Sequence, residues 1–224
     1  MNVAELKSDV RFLLGNIDSV SYSDNEILNN LNRWLEVVQN EIIDAMQKTF
    51  LQFGETYNID LVKDQEQYTF PSGLLTIEAI EVNYTGNQWE KARIFPISDY
   101  PKALSEESNF VQSHPAIFIL DDDTFLLKPA PEKNVSSGLK IWYTKKAVAL
   151  SSDSDTPPFN SNFHRILSLG ASLDYAVAME MRTKITYFNE MLAVLFEKLR
   201  KFYVKRQRTS KARIVPRNVY PFLK

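Results

Sequence analysis

Few side chains in this sequence have the type and spacing for chemistry. The chain has two histidines, His114 and His164, and no cysteine. The lack of cysteine excludes disulfides, thiolate nucleophiles, iron–sulfur clusters and cysteine-based zinc sites. The two histidines lie in different segments, and neither has a second histidine at metal-ligand spacing or the company of a triad. His164 stands near a predicted helix start, which favours a helix-surface or capping role. Asp121-Asp122-Asp123 could attract a hard cation, but three aspartates between two β-prone runs predict a hairpin turn. Asp153-Ser154-Asp155 has the opening spacing of a calcium loop without the central glycine and closing glutamate. The phosphate-binding, dinucleotide, zinc-protease and serine-hydrolase signatures do not occur. Only 6 glycines are available for phosphate-cradling loops. Carboxylates are plentiful, yet spacing selects no glycosidase-like pair. No catalytic, cofactor-binding or metal-binding residue is assigned, and the expected class is non-enzymatic.

Charge is distributed unevenly. The net charge of -2 conceals residues 1–197 with 28 acidic and 16 basic side chains, and residues 198–224 with 10 basic and none acidic. A basic tail on an acidic body points to an acidic partner: protein, nucleic acid or a membrane surface. The series Lys198, Arg200, Lys201, Lys205, Arg206, Arg208, Lys211, Arg213 and Arg217 continues the last predicted helix and runs beyond it. Ile214, Val219, Tyr220 and Phe222 are interleaved with it, and a purely solvated tail has no need of them. Pro216 and Pro221 lower the entropy cost of docking an extended segment. The expected partner-docking set is therefore Lys205, Arg206, Arg208, Lys211, Arg213, Ile214, Arg217, Val219, Tyr220 and Phe222.

The elements that must carry this tail follow from periodicity. Val3, Leu6, Val10 and Leu13 predict a first helix over 3–14, stopped by Gly15. Ser23-Asp24-Asn25-Glu26 is a capping box. Ile27, Leu31, Trp34, Leu35, Val38, Ile42 and Met46 continue it as an apolar stripe to about Phe50 or Phe53. β-prone runs follow at 59–62 and 67–71. Leu75–Tyr84 and Gln88–Phe95 around Thr85-Gly86-Asn87 read as one hairpin, and Ala116–Leu120 with Phe125–Lys128 as a second. A short helical turn over 96–104 and a strand over 139–144 complete the middle. After a polar, proline-containing connector, helical spacing returns. Phe163, Ile166, Leu167, Gly170, Leu173, Ala176 and Val177 form a face with small residues suited to close packing. A last helix is predicted over 183–205, with Ile185, Phe188, Leu192, Leu195, Leu199 and Phe202 inward.

The expected fold class is α+β. Residues 1–56 and 159–205 form an antiparallel helical bundle, residues 57–150 an inserted small antiparallel β-domain, residues 151–158 a connector, and residues 206–224 an extended C-terminal docking arm. No apolar run approaches the roughly 18 residues that span a bilayer. The N-terminus lacks a secretory apolar region. A soluble protein made in the cytoplasm, with no membrane partner, is expected.

Several segments, in this order, resemble the head-to-tail adaptor proteins of tailed bacteriophages, also called neck or connector ring proteins. They are the capped helix Ser23-Asp24-Asn25-Glu26-Ile27-Leu28-Asn29-Asn30-Leu31-Asn32, then Asp64-Gln65-Glu66-Gln67-Tyr68-Thr69-Phe70-Pro71 and Leu126-Leu127-Lys128-Pro129-Ala130-Pro131. Gly138-Leu139-Lys140-Ile141-Trp142-Tyr143 follows, and Asp153-Ser154-Asp155-Thr156-Pro157-Pro158-Phe159 leads into the Phe163-His164 helix. The resemblance implies a virion protein of the neck, between capsid and tail, made in the bacterial host. It implies a dodecameric ring of neighbouring copies that docks on the portal protein, often through a C-terminal arm, and meets a tail or nozzle protein. DNA would cross the central channel without sequence-specific binding, and an acidic body suits such a wall because it does not attract phosphates. Two rival functions remain on the residues alone. One is a nucleic-acid-binding accessory protein that uses the basic tail. The other is a hydrolase or glycan-binding site in the β-unit, for which no catalytic pair is apparent.

Overall fold

The computed structural model describes residues 1–46, 53–100 and 111–209, with side chains described as far as Lys205. The fold is α+β. The chain divides into two compact units, Met1–Lys48 with Ala149–Lys224, and Thr49–Val148. No helix among the described residues is long and apolar enough to cross a membrane.

The first unit holds α1 (Val3–Leu13), α2 (Asp24–Ala45), α3 (Arg165–Ala178) and α4 (Arg182–Thr209). Both early helices begin with a reciprocal cap. The Asn2 side chain accepts from the Glu5 amide while Glu5 accepts from the Asn2 amide, and Ser23 and Glu26 do the same at α2. Each cap satisfies two amide groups that a helix start leaves without partners. The Asn2 box went unnoticed in the sequence, whereas the Ser23 box was expected. Gly15 ends α1 with φ of +93°, a conformation glycine adopts without a side-chain clash. Val3, Leu6 and Val10 of α1 and Ile27, Leu31, Leu35, Val38 and Ile42 of α2 are buried, as their spacing requires.

α3 packs on each of the other three helices. Small residues make this possible: a Cβ placed on Gly170 would lie 2.1 Å from the Trp34 ring. The Trp34 indole N–H donates to Asp174 at 3.0 Å, and Tyr22 stacks on Tyr175 with ring centroids 4.6 Å apart. The buried face of α3 includes Ser168, Leu169, Ala171 and Ser172, wider than the expected stripe, while Val177 is exposed. A helix wrapped on several sides buries more than one stripe, so its periodicity underestimates its contacts.

The second unit contains two four-stranded sheets. β1 (Gly54–Leu61), β8 (Val135–Lys145), β3 (Leu74–Val82) and β4 (Glu90–Lys91) form one, in the order β1-β8-β3-β4. β2 (Gln67–Thr69), β7 (Thr124–Lys128), β6 (Ala116–Ile119) and β5 (Arg93–Pro96) form the other, in the order β2-β7-β6-β5. Between them lies an apolar cluster that includes Tyr68, Ile80, Val82, Ile117, Phe125, Leu127, Leu139 and Ile141. β1 begins at Gly54, ahead of the expected run at 59–62.

The β-unit departs from two expectations. The segment 88–95 is not one return strand. Glu90 and Lys91 pair back onto β3, opposite Val82 and Glu81, and the Ala92 amide donates to the Ile80 carbonyl at 2.8 Å. The chain then changes sheet, and Arg93–Pro96 runs parallel to β6. The β-unit is therefore mixed rather than wholly antiparallel. Pairing with β6 stacks Phe95 on Phe118 at 5.5 Å, burial that a longer hairpin would forgo. The second hairpin forms as expected, with Ile119 opposite Phe125.

Candidate docking site

The expected docking residues depend on α4, which carries them out of the helical unit. Among its described side chains, Phe188, Leu192, Leu199 and Tyr203 are buried, spaced by four, seven and four positions on one face. Ile185, Leu195 and Phe202 are half-buried flanks. Near the far end, Phe163 meets Phe202 at 5.5 Å and Tyr203 at 6.4 Å, and the Tyr203 hydroxyl oxygen lies 3.5 Å from the Asn160 amide. This aromatic cluster fixes the root of the basic segment. Tyr203 is fully buried and was missed in the sequence, although Leu199 stands four residues before it and gives the periodic signal.

Basic residues along α4 have distinct settings. Arg200 holds Glu41 of α2 with two hydrogen bonds, at 2.7 and 3.0 Å, and that carboxylate stabilises its charge. Lys201 pairs with Glu197 one turn earlier, which lowers the Glu197 pKa. Lys205 is exposed. The helix continues to Thr209, so the backbone of Arg206 and Arg208 is helical, not part of an extended arm that starts at 206. Lys211, Arg213, Ile214, Arg217, Val219, Tyr220 and Phe222 lie outside the described residues.

The candidate chemistry of the other singled-out groups is structural. His164 is buried, neither a surface residue nor a side-chain cap. Its Nε2 faces the Phe159 carbonyl at 2.9 Å, and its Nδ1 lies 3.0 Å from the Met1 carbonyl oxygen and 3.1 Å from the Met1 nitrogen. Burial lowers its pKa by disfavouring the charged ring. Asp153 and Asp155 serve the start of α1: their backbone carbonyls accept from the Ala4 and Val3 amides at 3.1 and 3.0 Å. The Asp153 carboxylate takes Lys7 at 2.7 Å, and that of Asp155 takes the Ser151 and Ser152 amides. The Asp121 carboxylate closes its turn by accepting from the Thr124 hydroxyl and from the Asp123 and Thr124 amides, and these bonds lower its pKa. Among the described residues no cluster of three histidine, cysteine or acidic side chains could hold a metal ion.

The geometry thus offers a helix anchored in the first unit that leads into the basic segment. A family model described as SU10 adaptor protein matches residues 1–217, which cover both units and most of the basic segment. No curated protein matches the chain. A match across this much of the sequence means that the chain belongs to the SU10 adaptor protein family, a family of phage adaptors.

Proposed function

We propose that this chain is a structural head-to-tail adaptor of the virion neck. Copies form a ring, dodecameric by the family resemblance, that docks on the portal protein and links it to a tail or nozzle protein. Residues 206–224 grip the portal, beginning as the last turn of α4 and continuing as the basic, apolar-spiked segment. DNA passes through the ring's channel without base-specific contacts. The observation that carries this proposal is the family match, which runs through both units and into the basic segment as far as residue 217.

Residues 1–197 carry a net charge of −12, which suits a wall that must release phosphates rather than hold them. The aromatic cluster at Phe163, Phe202 and Tyr203 gives a rigid base for the arm, so less orientational freedom is lost when the arm docks. Removal of residues 210–224 tests the proposal. The shortened chain is expected to retain its helical circular dichroism and melting temperature, and to lose co-sedimentation with portal rings. Normal docking by the shortened chain would refute the arm's role.

One observation favours a second function, a nucleic-acid-binding accessory protein: the final 27 residues hold 10 cations and no anion. That function predicts DNA binding that weakens steeply with salt and vanishes when the arginines at 206, 208, 213 and 217 are neutralised. A gel-shift titration at low and moderate salt separates the two.

A further inference from the structure

The β-unit contains an open apolar cleft of about 690 Å³. Leu75 and Ile77 of β3, Ile94 of β5 and Ile119 of β6 line it, and the Asp121-Asp122-Asp123 turn forms part of its rim. Leu75 is 42 % exposed and Ile94 38 %, so large aliphatic surface meets solvent in a concavity. Two of the lining strands also carry open backbone edges. Among the described residues β5 pairs with β6 alone, and the outer edge of β3 is bonded from Ile80 to Val82, which leaves that edge of Leu74–Ile77 unpaired. An unpaired edge beside an apolar cleft can accept an added strand, with ladder hydrogen bonds for affinity and side-chain pockets for specificity. Asp121 is committed to its turn. Asp122 and Asp123 take part in no ion pair among the described residues, and no lysine or arginine there lines the cleft.

The chain itself supplies a segment with the complementary chemistry. Residues 211–222 contain Ile214, Val215, Val219, Tyr220 and Phe222, together with Lys211, Arg213 and Arg217, and no acidic residue. Pro216 and Pro221 restrict the unbound segment and so reduce the cost of holding it extended. We propose that the cleft binds residues 211–222 of a second copy as an extended strand, with basic side chains against Asp122 and Asp123. This contact rests on neither the portal nor the ring. It gives the segment a second destination, and because one segment fills one site at a time, portal and cleft compete for it.

A labelled peptide of residues 211–224, titrated into the full chain and followed by fluorescence anisotropy, tests the cleft. Saturable, salt-weakened binding is expected, together with a sedimentation mass that rises with chain concentration. Leu75→Glu, or Asp122→Lys with Asp123→Lys, should weaken peptide binding by about tenfold or more, and a peptide with Glu at 211, 213 and 217 should not bind. Leu75 and the two aspartates are exposed, and the turn variant stays informative if Leu75→Glu misfolds. Absence of peptide binding with a chain that is monomeric at every concentration overturns the proposal, as does binding that the folded cleft variants leave unchanged. Portal co-sedimentation of the same variants separates the two contacts, since loss of cleft binding with portal docking retained, or the reverse, identifies which one fails.

Discussion

The two units are held together by different means. In the helical unit, segments distant in sequence meet through directional polar contacts as well as apolar packing. The Asp153 and Asp155 carbonyls receive the first amides of α1, Ser168 donates to Asp9, Lys184 reaches the Leu13 carbonyl, and His164 sits against Phe159 and Met1. The β-unit packs a mainly apolar cluster, with Asn83 and Thr144 as buried polar residues beside it, and draws most of its specificity from strand register. Buried polar partners select one arrangement of helices because a displaced donor or acceptor loses its bond in a dry site. A sheet pair gains the same selectivity from its period of two, since a one-residue slip reverses every side chain. Damage to the β-unit should therefore act through lost volume, and damage to the helical unit through lost fit, charge or caps.

The largest expected effect is in the β-unit. Phe125 is fully buried and lies 4.6 Å from the Phe70 ring and 5.9 Å from Tyr68. Phe125→Ala should destabilise that unit by about 3–5 kcal/mol, read from the urea midpoint of β-unit amide signals. The helical signals should move less, and equal movement in both units would remove the distinction between them.

Next in size is the close approach of α3 to α2. Gly170→Ala forces the Trp34 ring to shift and should cost about 1–3 kcal/mol, with a change in tryptophan fluorescence before the main transition. If the change is neutral, the Trp34–Gly170 contact does not limit the packing.

A pH series sharpens the polar side of the comparison. The folded pKa of His164 lies below its ordinary 6.5 because the ring is buried. Between these two values the unfolded chain binds the proton more readily, so stability falls as pH drops below 6.5 and the loss ends at the folded pKa. Helical-unit stability should decline in that window, and His164→Gln should flatten the decline. Asp121 of the β-unit acts lower: its pKa is depressed by its turn hydrogen bonds, so its contribution is present above 3.8 and disappears on further acidification. Melting curves across pH 7 to 3 separate these windows. The smallest effect is a cap: Ser23→Ala should cost about 1 kcal/mol and fray the first turn of α2 in hydrogen exchange, with the β-unit unaffected.

Features set by neighbours in sequence were legible before the structure. The Ser23–Glu26 cap, the Gly15 stop, the Asp121 turn and most of the inward face of α4 depend on spacings of three or four residues. The burial of His164 and the change of sheet at Ala92 were not legible, because each depends on atoms far away in the chain. The root of the docking segment was half legible: its basic character is a matter of composition, whereas the helix runs past the expected 205 to Thr209.

By itself the sequence determined the α+β class, the helix starts and the opposed charges of body and tail, because caps, periodicity and charge are local or additive. Only the tertiary structure decided that β8 lies between β1 and β3, that β5 joins the second sheet in parallel, and that Tyr203 and His164 are interior. Strand partners and buried polar contacts are choices among many pairings of similar local quality, and only packing of the whole unit makes one of them lowest in free energy.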